Sequence, residues 1–427
     1  MVRKPFFGLG KPKLAYTQID DIGTGIQEIP PPEKVTLFLE MTASNVDDLV
    51  LSTGDEVQTG QCLRPFPAGK SYLTATATGV ISDVSFRTDP MGRSGLSVSI
   101  EVREKDLWDP EFEKTGMKPN TETARAFLRG LPGVSDFTGF IREDAPLRAI
   151  IVSGFDQDLL VATNQLSLRN SGPQLAQGID CLQKITGAQK VIVAVPPALR
   201  SEADQGGVEV RVLDTLYPGA LPRLLIERIL GVTVPSAGGW QDVDIGVLSA
   251  EAVIALGQAY SEGKPPITKV LTVIDKKERA SGVRVRIGTP VNHILESLHI
   301  TLNEGDRLVF GGPMAGRGVY SEEAAIGPTT DAIMVQDKGQ VFATFGDACI
   351  NCGECVRACP ARLPVNMLIR LLENGLYEEA AQEYDLLSCV ECGLCSYVCT
   401  MRIPIFHYIM LGKHELASTG YLEESNG

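Results

Sequence analysis

Eight of the ten cysteines in this chain fall in two short runs between positions 349 and 399. The runs consist of Cys349, Cys352, Cys355 and Cys359, and of Cys389, Cys392, Cys395 and Cys399. Both have the spacing C-x₂-C-x₂-C-x₃-C, which is typical of the thiolate ligands of [4Fe–4S] clusters. Three thiolates at two-residue intervals wrap a tight loop and can converge on one cube of iron and sulfide. The runs therefore predict two [4Fe–4S] clusters.

The fourth cysteine of each run follows a gap of three residues and is expected to point away from its own loop. In bacterial two-cluster ferredoxins this cysteine ligates the other cluster. The predicted ligand sets are therefore crossed: Cys349, Cys352, Cys355 and Cys399 for cluster 1, and Cys389, Cys392, Cys395 and Cys359 for cluster 2. Gly353 and Gly393 lie inside the loops, where a side chain would crowd the cluster or a positive φ is needed.

Two other uses of cysteine compete with the clusters. C-x₂-C pairs also bind zinc, and eight thiolates would serve two zinc ions. Zinc sites use pairs of pairs rather than two matched runs of four, and so the spacing favours clusters. A disulfide framework is disfavoured further, because nothing in the sequence marks the chain as secreted. The remaining cysteines, Cys62 and Cys181, stand alone in apolar-flanked segments and are expected to be core thiols.

Composition limits the class of protein. The 427 residues are enough for roughly two to four domains, and a hydrophobic content of 44% allows each to bury a core. A net charge of −14 and a pI of about 4.9 argue against a general nucleic-acid binder. No apolar run is long enough to span a bilayer, and the N-terminus lacks the apolar region of a signal peptide. We therefore expect a soluble, intracellular chain that reaches a membrane only through partners.

The order of strand and helix patterns predicts several domains along the chain. Short strands between glycine turns predict a small β sandwich or barrel over 34–103, and continuous apolar strands between helices predict a mostly parallel α/β sheet over 147–280. The predicted parts are an N-terminal arm (1–33), a barrel-sandwich hybrid (34–103), a connector (104–146), an α/β domain (147–280), a β-grasp unit (281–320), a linker (321–345), a two-cluster domain (346–414) and a tail (415–427).

Three features in the first and middle domains have a functional and a structural interpretation. The spacing of glycines around 54–81 resembles that of biotinyl and lipoyl domains. Lys70 lies near the sequence position at which those domains carry their modified lysine. It lacks their acidic or methionine neighbours, and so we predict an unmodified surface lysine. The glycine-rich segment 311–316 could approach a ligand, but a tight turn is favoured. His293 and His299 are expected to be packed or solvated rather than ligands.

Taken with the cysteine runs, this order of modules resembles the C subunit of the Rnf electron-transport complex and the related cobalamin reductases. The stretches that carry the resemblance are YPGA (217–220), VPSAGG (234–239), DIGVL (244–248), RIGTPV (286–291), GGPMAG (311–316) and both cysteine runs. The resemblance implies a multidomain α/β and β protein. Its parts would be a barrel-sandwich hybrid, an α/β domain like the flavoprotein subunit of respiratory complex I, a β-grasp unit, and a C-terminal ferredoxin domain with two [4Fe–4S] clusters.

The same resemblance implies a site for FMN and NADH in the α/β domain. The family has a G-x-G-G-A-G-F-P-T loop, and the matching stretch here reads GLPGVSDFT from Gly130, with only Gly133 as a second glycine. The family segment N-G-A-E-C-E-P-Y is replaced by SGFDQDLL, which keeps acidic residues only at Asp156 and Asp158. A flavin phosphate needs several backbone N–H groups at a turn without Cβ atoms. We therefore predict a degenerate site at these four residues that binds neither FMN nor NADH tightly.

Three functions are compatible with these features. The first is an electron-transfer subunit, without catalytic residues of its own, on the cytoplasmic side of a membrane redox complex. It would relay single electrons between a ferredoxin, flavoprotein or cytochrome partner and integral-membrane subunits. The second is an NADH- and FMN-dependent dehydrogenase subunit of an Rnf-type ion-translocating complex. The third is a scaffold whose clusters are structural.

Overall fold

The computed structural model of this chain describes residues 12–22, 25–41, 48–67, 69, 71–89, 92–115, 118–142, 145–204, 207–236, 240–341, 348–419 and 421. Lys70 lies outside the described residues, and so the prediction that it carries no prosthetic group stays a prediction. Parts of the predicted arm (1–11), linker (342–345) and tail (420 and 422–427) also lie outside them. Within the described ranges, no helix is long and apolar enough to cross a membrane.

The described residues form sixteen β-strands and fourteen α-helices, numbered here in chain order. The strands are β1 (Ile26–Glu28), β2 (Lys34–Glu40), β3 (Glu56–Val57), β4 (Cys62–Leu63), β5 (Leu73–Thr74), β6 (Gly79–Thr88), β7 (Ser94–Val102), β8 (Ala149–Ser153), β9 (Val191–Val195), β10 (Glu209–Val212), β11 (Ile245–Ser249), β12 (Thr268–Ile274), β13 (Ala280–Arg286), β14 (Arg307–Phe310), β15 (Arg317–Val319) and β16 (Ala332–Gln336). The helices are α1 (Ile19–Ile22), α2 (Glu111–Thr115), α3 (Thr121–Phe127), α4 (Thr163–Asn170), α5 (Gly172–Thr186), α6 (Arg200–Ala203), α7 (Pro222–Leu230), α8 (Ala250–Glu262), α9 (Val291–Ser297), α10 (Glu354–Ala358), α11 (Val365–Leu372), α12 (Tyr377–Tyr384), α13 (Leu394–Val398) and α14 (Ile405–Ser418).

The predicted β unit at 34–103 forms an antiparallel sheet in the order β2-β7-β6-β3, beside a two-stranded ribbon of β4 and β5. Val35, Ile81 and Val98 lie at the centre of its core with no exposed surface. Asp106, just after the sheet, accepts hydrogen bonds from Thr59 and Arg286. The hydrogen bond from Arg286 lowers the pKa of Asp106 to about 2, and so this contact joins the β unit to the next sheet as an ion pair.

The predicted α/β sheet consists of four parallel strands in the order β10-β9-β8-β11. Strands β8 and β9 are buried at every position, as their continuous apolar sequences predict for a parallel sheet covered on both faces. Helices α5 and α8 pack against one another beside this sheet. The structure confirms the predicted multidomain architecture with mixed α/β sheets, and it adds helix α4, which the sequence pattern does not predict.

A third sheet of six strands has the order β1-β13-β12-β16-β14-β15. Two boundaries differ here from the prediction: β12 pairs with β13 and β16 rather than with the α/β sheet, and the predicted linker at 321–345 contains β16. The predicted arm contributes the edge strand β1, and His293 Nε2 lies 2.8 Å from the carbonyl oxygen of Pro30 beside it. A short apolar segment predicts a strand, but its partner depends on packing between residues far apart in sequence.

The cluster domain is an internal repeat. Each cysteine of the second run lies 40 positions after its counterpart, as 349 and 389 illustrate. Helices α10 and α13 occupy matching positions and pack on one another, and α11 and α14 both begin directly after a proline. The apolar side chains of α11 and α14 form one core with six of the eight cysteines, which places both runs on a common frame.

Candidate iron–sulfur centres and the adjoining cleft

The structure brings together the four thiols predicted for cluster 1. Cys349, Cys352, Cys355 and Cys399 line one small cavity, whose other walls include Ile369 from α11. Burial and, to a smaller extent, the charges of the other three thiols raise the pKa of Cys355 to about 11. The fourth thiol therefore comes from the second run, in the crossed arrangement.

The thiols predicted for cluster 2 also lie together. Burial and, to a smaller extent, the charges of Cys389 and Cys359 raise the pKa of Cys392 to about 12. Burial likewise raises the pKa of Cys395, and its charged neighbours are Cys389, Cys392 and Cys359. Four thiolates this close repel one another strongly, and so they can all ionise only around a compensating cationic group.

The backbone that presents these thiols follows from the repeated sequence. Gly353 and Gly393 precede α10 and α13 with φ of 75° and 69°, in the left-handed region that glycine adopts without strain. Asn351 and Glu391, two residues before them, have φ of 55° and 59°. Two left-handed residues in each loop turn it tightly around its thiols, as the spacing predicts.

The donor set fits a cubane better than a single ion. Within the described ranges, no three His, Cys, Asp or Glu side chains converge closely enough to hold one metal ion. A cubane attaches each thiolate to a different iron at a different corner, and so its ligands stand farther apart than those of zinc. The backbone N–H of Glu391 donates to Cys389 Sγ at 3.4 Å, and that of Ile403 donates to Cys399 Sγ at 3.4 Å. Such N–H···S bonds stabilise the charge on cluster sulfurs.

The two sets differ in exposure. In the first, Cys352 is exposed, and the neighbouring Ile350 has 61% of its surface exposed. In the second, Cys392 and Cys395 are buried. The Tyr217 hydroxyl donates a 2.7 Å hydrogen bond to the carbonyl oxygen of Cys392. The first set therefore meets solvent, while the second is covered by the α/β domain.

A cleft of about 1420 Å³ lies between the β unit, the α/β domain, the third sheet and the cluster domain. Its walls include Gly130, Asp136, Asp158 and, on the side of the cluster domain, Cys389 and Lys413. The second thiol set therefore borders this cleft through Cys389. Sequence reasoning missed the cleft, because its walls come from segments spread over most of the chain.

Residues 345–400 match the family model of the 4Fe-4S dicluster domain. The chain is 28% identical over 420 residues to the C subunit of the proton-translocating ferredoxin:NAD(+) oxidoreductase complex of Clostridium ljungdahlii, covering 94% of this chain and 92% of the relative. It is 26% identical over 375 residues to the C subunit of the ion-translocating oxidoreductase complex of Vibrio cholerae, covering 83% of this chain and 48% of the relative.

The chain is similar to these C subunits along most of its length. This confirms the resemblance drawn from the sequence. The chain spans about half the length of the Vibrio cholerae relative and nearly all of the Clostridium ljungdahlii relative. Among solved structures, an NAD⁺-reducing [NiFe]-hydrogenase in the H₂-reduced state aligns with a TM-score of 0.44 and 14% identity over 69% of this chain and 65% of that chain.

The loop that matches the flavin loop of the C-subunit family is closed on itself. Leu131 and Val134 exchange backbone hydrogen bonds, and the Gly133 N–H donates to the carbonyl oxygen of Pro328. Pro132 has no N–H. A Cβ on Gly133 would lie 2.2 Å from Ser249 Oγ, and so this glycine serves close packing on the start of α8.

An acidic side chain occupies the end of the same loop. The Thr138 N–H donates to Asp136 Oδ1 at 2.9 Å, and Arg129 pairs with Asp136 Oδ2 at 3.1 Å. A carboxylate thus takes the N–H and cationic contacts that a phosphate would need, and it repels a second anion. Gly130 lines the cleft, but Gly133 does not.

The two predicted acidic residues bind the protein itself. Asp156 is buried and accepts hydrogen bonds from the Asn164 N–H and Gln165 Nε2, at the start of α4. Burial raises its pKa to about 7. Asp158 lines the cleft and accepts bonds from the N–H groups of Met314 and Ala315, at 3.0 Å and 2.8 Å.

Asp158 also decides the role of the glycine-rich segment 311–316. Its N–H groups wrap the Asp158 carboxylate, and a Cβ on Gly312 would lie 2.7 Å from Asp158 Cγ. The segment is a tight turn that holds an internal anion, in agreement with the favoured prediction. On its other side, the Met314 carbonyl oxygen packs against Gly393 of the second cysteine run. Sequence reasoning missed this link from Asp158 to the cluster domain.

Proposed function

We propose that this chain is an electron-transfer subunit that relays single electrons through two [4Fe–4S] clusters. Cys349, Cys352, Cys355 and Cys399 would hold cluster 1, and Cys389, Cys392, Cys395 and Cys359 would hold cluster 2. The observation that carries the proposal is the gathering of the thiols into two crossed sets of four on one common frame. The clusters would supply one-electron chemistry, since a cubane changes its charge by one without releasing its ligands.

The surroundings of the two sets support a route with two ends. The rim around Cys352 and Ile350 is open to solvent and can face one redox partner. The second set borders the cleft through Cys389 and can exchange electrons with a group that enters there. Helices α10 and α13 pack on one another and hold the two sets side by side, with Cys355, Cys359 and Cys395 in one apolar core. A scaffold with structural clusters would need neither opening.

We further propose that the chain binds neither FMN nor NADH tightly and receives electrons from a partner protein. The loop at 130–138 has N–H groups committed internally, and Asp136 repels a phosphate. The competing function is an NADH- and FMN-dependent dehydrogenase. It is favoured by the volume of the cleft, about 1420 Å³, and by the name of the Clostridium ljungdahlii relative, which includes NAD(+).

The partners we propose are integral-membrane and redox subunits of one complex, with this chain on the cytoplasmic face. Support comes from the relatives, which are named as subunits of ion-translocating complexes. We expect attachment through contacts with the membrane subunits. The acidic chain would not take nucleic acid as a partner, because its net charge of −14 repels a polyanion.

One anaerobic purification tests these proposals together. We expect about eight irons and about eight sulfides per chain, an absorption spectrum without flavin bands, and partial bleaching by a one-electron reductant. The protein is then incubated with FMN and freed of unbound flavin. Retained stoichiometric flavin, with bleaching of the cluster absorbance by NADH, would establish the dehydrogenase instead. Zinc, or about four irons, would contradict the paired ligand sets.

A further inference from the structure

A lysine on the last helix is hydrogen-bonded to the second cysteine loop, and this contact of Lys413 with Cys389 and Glu391 is called a clasp here. Lys413 Nζ donates to the carbonyl oxygen of Cys389 at 2.8 Å and to Glu391 Oε1 at 2.7 Å. Lys413 lies on α14 and borders the cleft. Ligation of two clusters by eight thiolates does not by itself require a cation at this place.

The repeat provides an internal comparison for this clasp. The position equivalent to Glu391 is Asn351, and its side-chain oxygen accepts a 2.8 Å hydrogen bond from Asn366 of α11. The position equivalent to Lys413, 40 residues earlier, is the exposed Glu373. Both loops are thus clasped by the helix that follows them, but the first clasp is neutral and the second is charged.

The two charges of the second clasp are unequally screened. The side chain of Lys413 is 17% exposed and that of Glu391 is 44% exposed. Water therefore screens the carboxylate more than the ammonium. The ammonium also donates a hydrogen bond to the carbonyl oxygen of Cys389. Its electrostatic field therefore acts on the Cys389 thiolate, which belongs to the same residue as that carbonyl group.

We propose that Lys413 is a positioning residue that raises the reduction potential of cluster 2, and that Glu391 opposes it. This inference rests on the proposed function, because it requires clusters at both sets. A nearby positive charge favours the form with one more electron, and net charge and hydrogen bonding are the means by which proteins tune iron–sulfur potentials. The contact of Asn351 with Asn366 is neutral, and the cation at the first loop is Arg357, which donates to the carbonyl oxygen of Cys352 at 3.0 Å and pairs with Glu354. Its side chain is 45% exposed against 17% for Lys413, and so water screens its charge more strongly.

The test is an anaerobic redox titration of the full chain, followed by electron paramagnetic resonance. The signal of cluster 2 is identified first as the one altered in Cys359→Ser. Lys413→Gln should move the midpoint of that signal to a lower potential, and Glu391→Gln should move it higher. Lys413→Arg should restore most of the unsubstituted value. The midpoint of cluster 1 should stay unchanged in all three variants.

Glu373→Gln is the matched control, because it removes a charge at the equivalent position of the first half. It should leave the midpoint of cluster 2 unchanged. The proposal is overturned if Lys413→Gln leaves both midpoints in place, or if Lys413→Gln and Glu391→Gln shift the signal in the same direction, as a merely structural clasp would. Because Glu391 is nearly half exposed, its variant tests the proposal even if Lys413→Gln fails to fold. If the unsubstituted protein gives both cluster signals and the variants do not shift that of cluster 2, only this inference is refuted. If the unsubstituted protein gives no cluster 2 signal, the proposed function is overturned as well.

Discussion

The two halves of the cluster domain have the same local sequence design and different surroundings. Both have the C-x₂-C-x₂-C-x₃-C spacing, a left-handed glycine before a short helix, and a proline before the next helix. The first half opens to solvent at Cys352, whereas the second is covered by Tyr217 and the turn at Met314. The comparison teaches that the repeated sequence specifies the arrangement of ligands, while contacts made once, with distant parts of the chain, specify the environment of each site.

The largest expected effect comes from breaking the crossed pairing. Cys359→Ser should disrupt cluster 2, and Cys399→Ser should disrupt cluster 1, because each fourth ligand belongs to the other run. Each variant should retain about four of about eight irons. Iron analysis and electron paramagnetic resonance of the two variants check this. If each substitution removes the signal of its own run, the pairing is uncrossed.

A matched pair of glycine substitutions tests how far the two surroundings differ. Gly353→Ala places a left-handed φ on alanine, at a cost of about 1–2 kcal/mol, and its Cβ meets only the end of the Arg357 side chain at 3.3 Å. Gly393→Ala has the same cost and also brings Cβ to 2.1 Å from the Met314 carbonyl oxygen. Such crowding adds about 1–3 kcal/mol.

The measurement for this pair is loss of cluster absorbance during chemical denaturation under argon. Gly393→Ala should lower the midpoint of denaturation clearly more than Gly353→Ala does. Equal shifts would mean that the turn at 311–316 does not restrict the second loop, and that the two loops tolerate a Cβ atom equally well.

A smaller effect is expected from the hydroxyl that covers the second half. Tyr217→Phe removes the hydrogen bond to the Cys392 carbonyl and leaves a buried acceptor unpaired, which costs about 1–3 kcal/mol. It should weaken retention of cluster 2 and leave cluster 1 unaffected. Tyr397→Phe is the control, because Tyr397 is 45% exposed. Cluster loss against time at constant denaturant distinguishes the two, and equal effects would argue against a covering role for Tyr217.

The smallest effect is a dependence on pH through Asp158. Burial raises its pKa from 3.8 to about 6. The folded chain therefore binds more protons than the unfolded chain between these values, and the free energy of unfolding falls as the pH rises from about 4 to about 6. One such group changes it by at most about 1.4 kcal/mol per pH unit.

Asp158→Asn should remove this part of the slope. Equilibrium denaturation at several pH values from about 4 to about 7 spans the titration and measures it, with Asp156 unchanged in both proteins. An identical slope in the variant would mean that Asp158 does not titrate in this range.

Features that depend on neighbouring residues can be predicted from the sequence. The eight cysteines, the left-handed glycines and the apolar strands β8 and β9 are all encoded within short segments. Neither β16 as an inner strand nor the role of Asp158 can be predicted in this way, because Asp158 contacts Met314 at a separation of 156 residues. The contact of Lys413 with the second cysteine loop cannot be predicted either. A single lysine on an amphipathic helix gives the same sequence pattern whether its side chain contacts solvent or a loop.

The covering of the second half also sets an order of assembly. Tyr217 and the turn at 311–316 are synthesised before the second cysteine run, and domains generally fold as they leave the ribosome, N-terminal parts first. The wall against which Gly393 packs can therefore be complete before positions 389–399 exist. Iron delivered to the nascent second run would meet a loop whose packing surface at Met314 is already folded. Gly353 packs only near Arg357 of its own run, and so the first run must form its loop without such a surface.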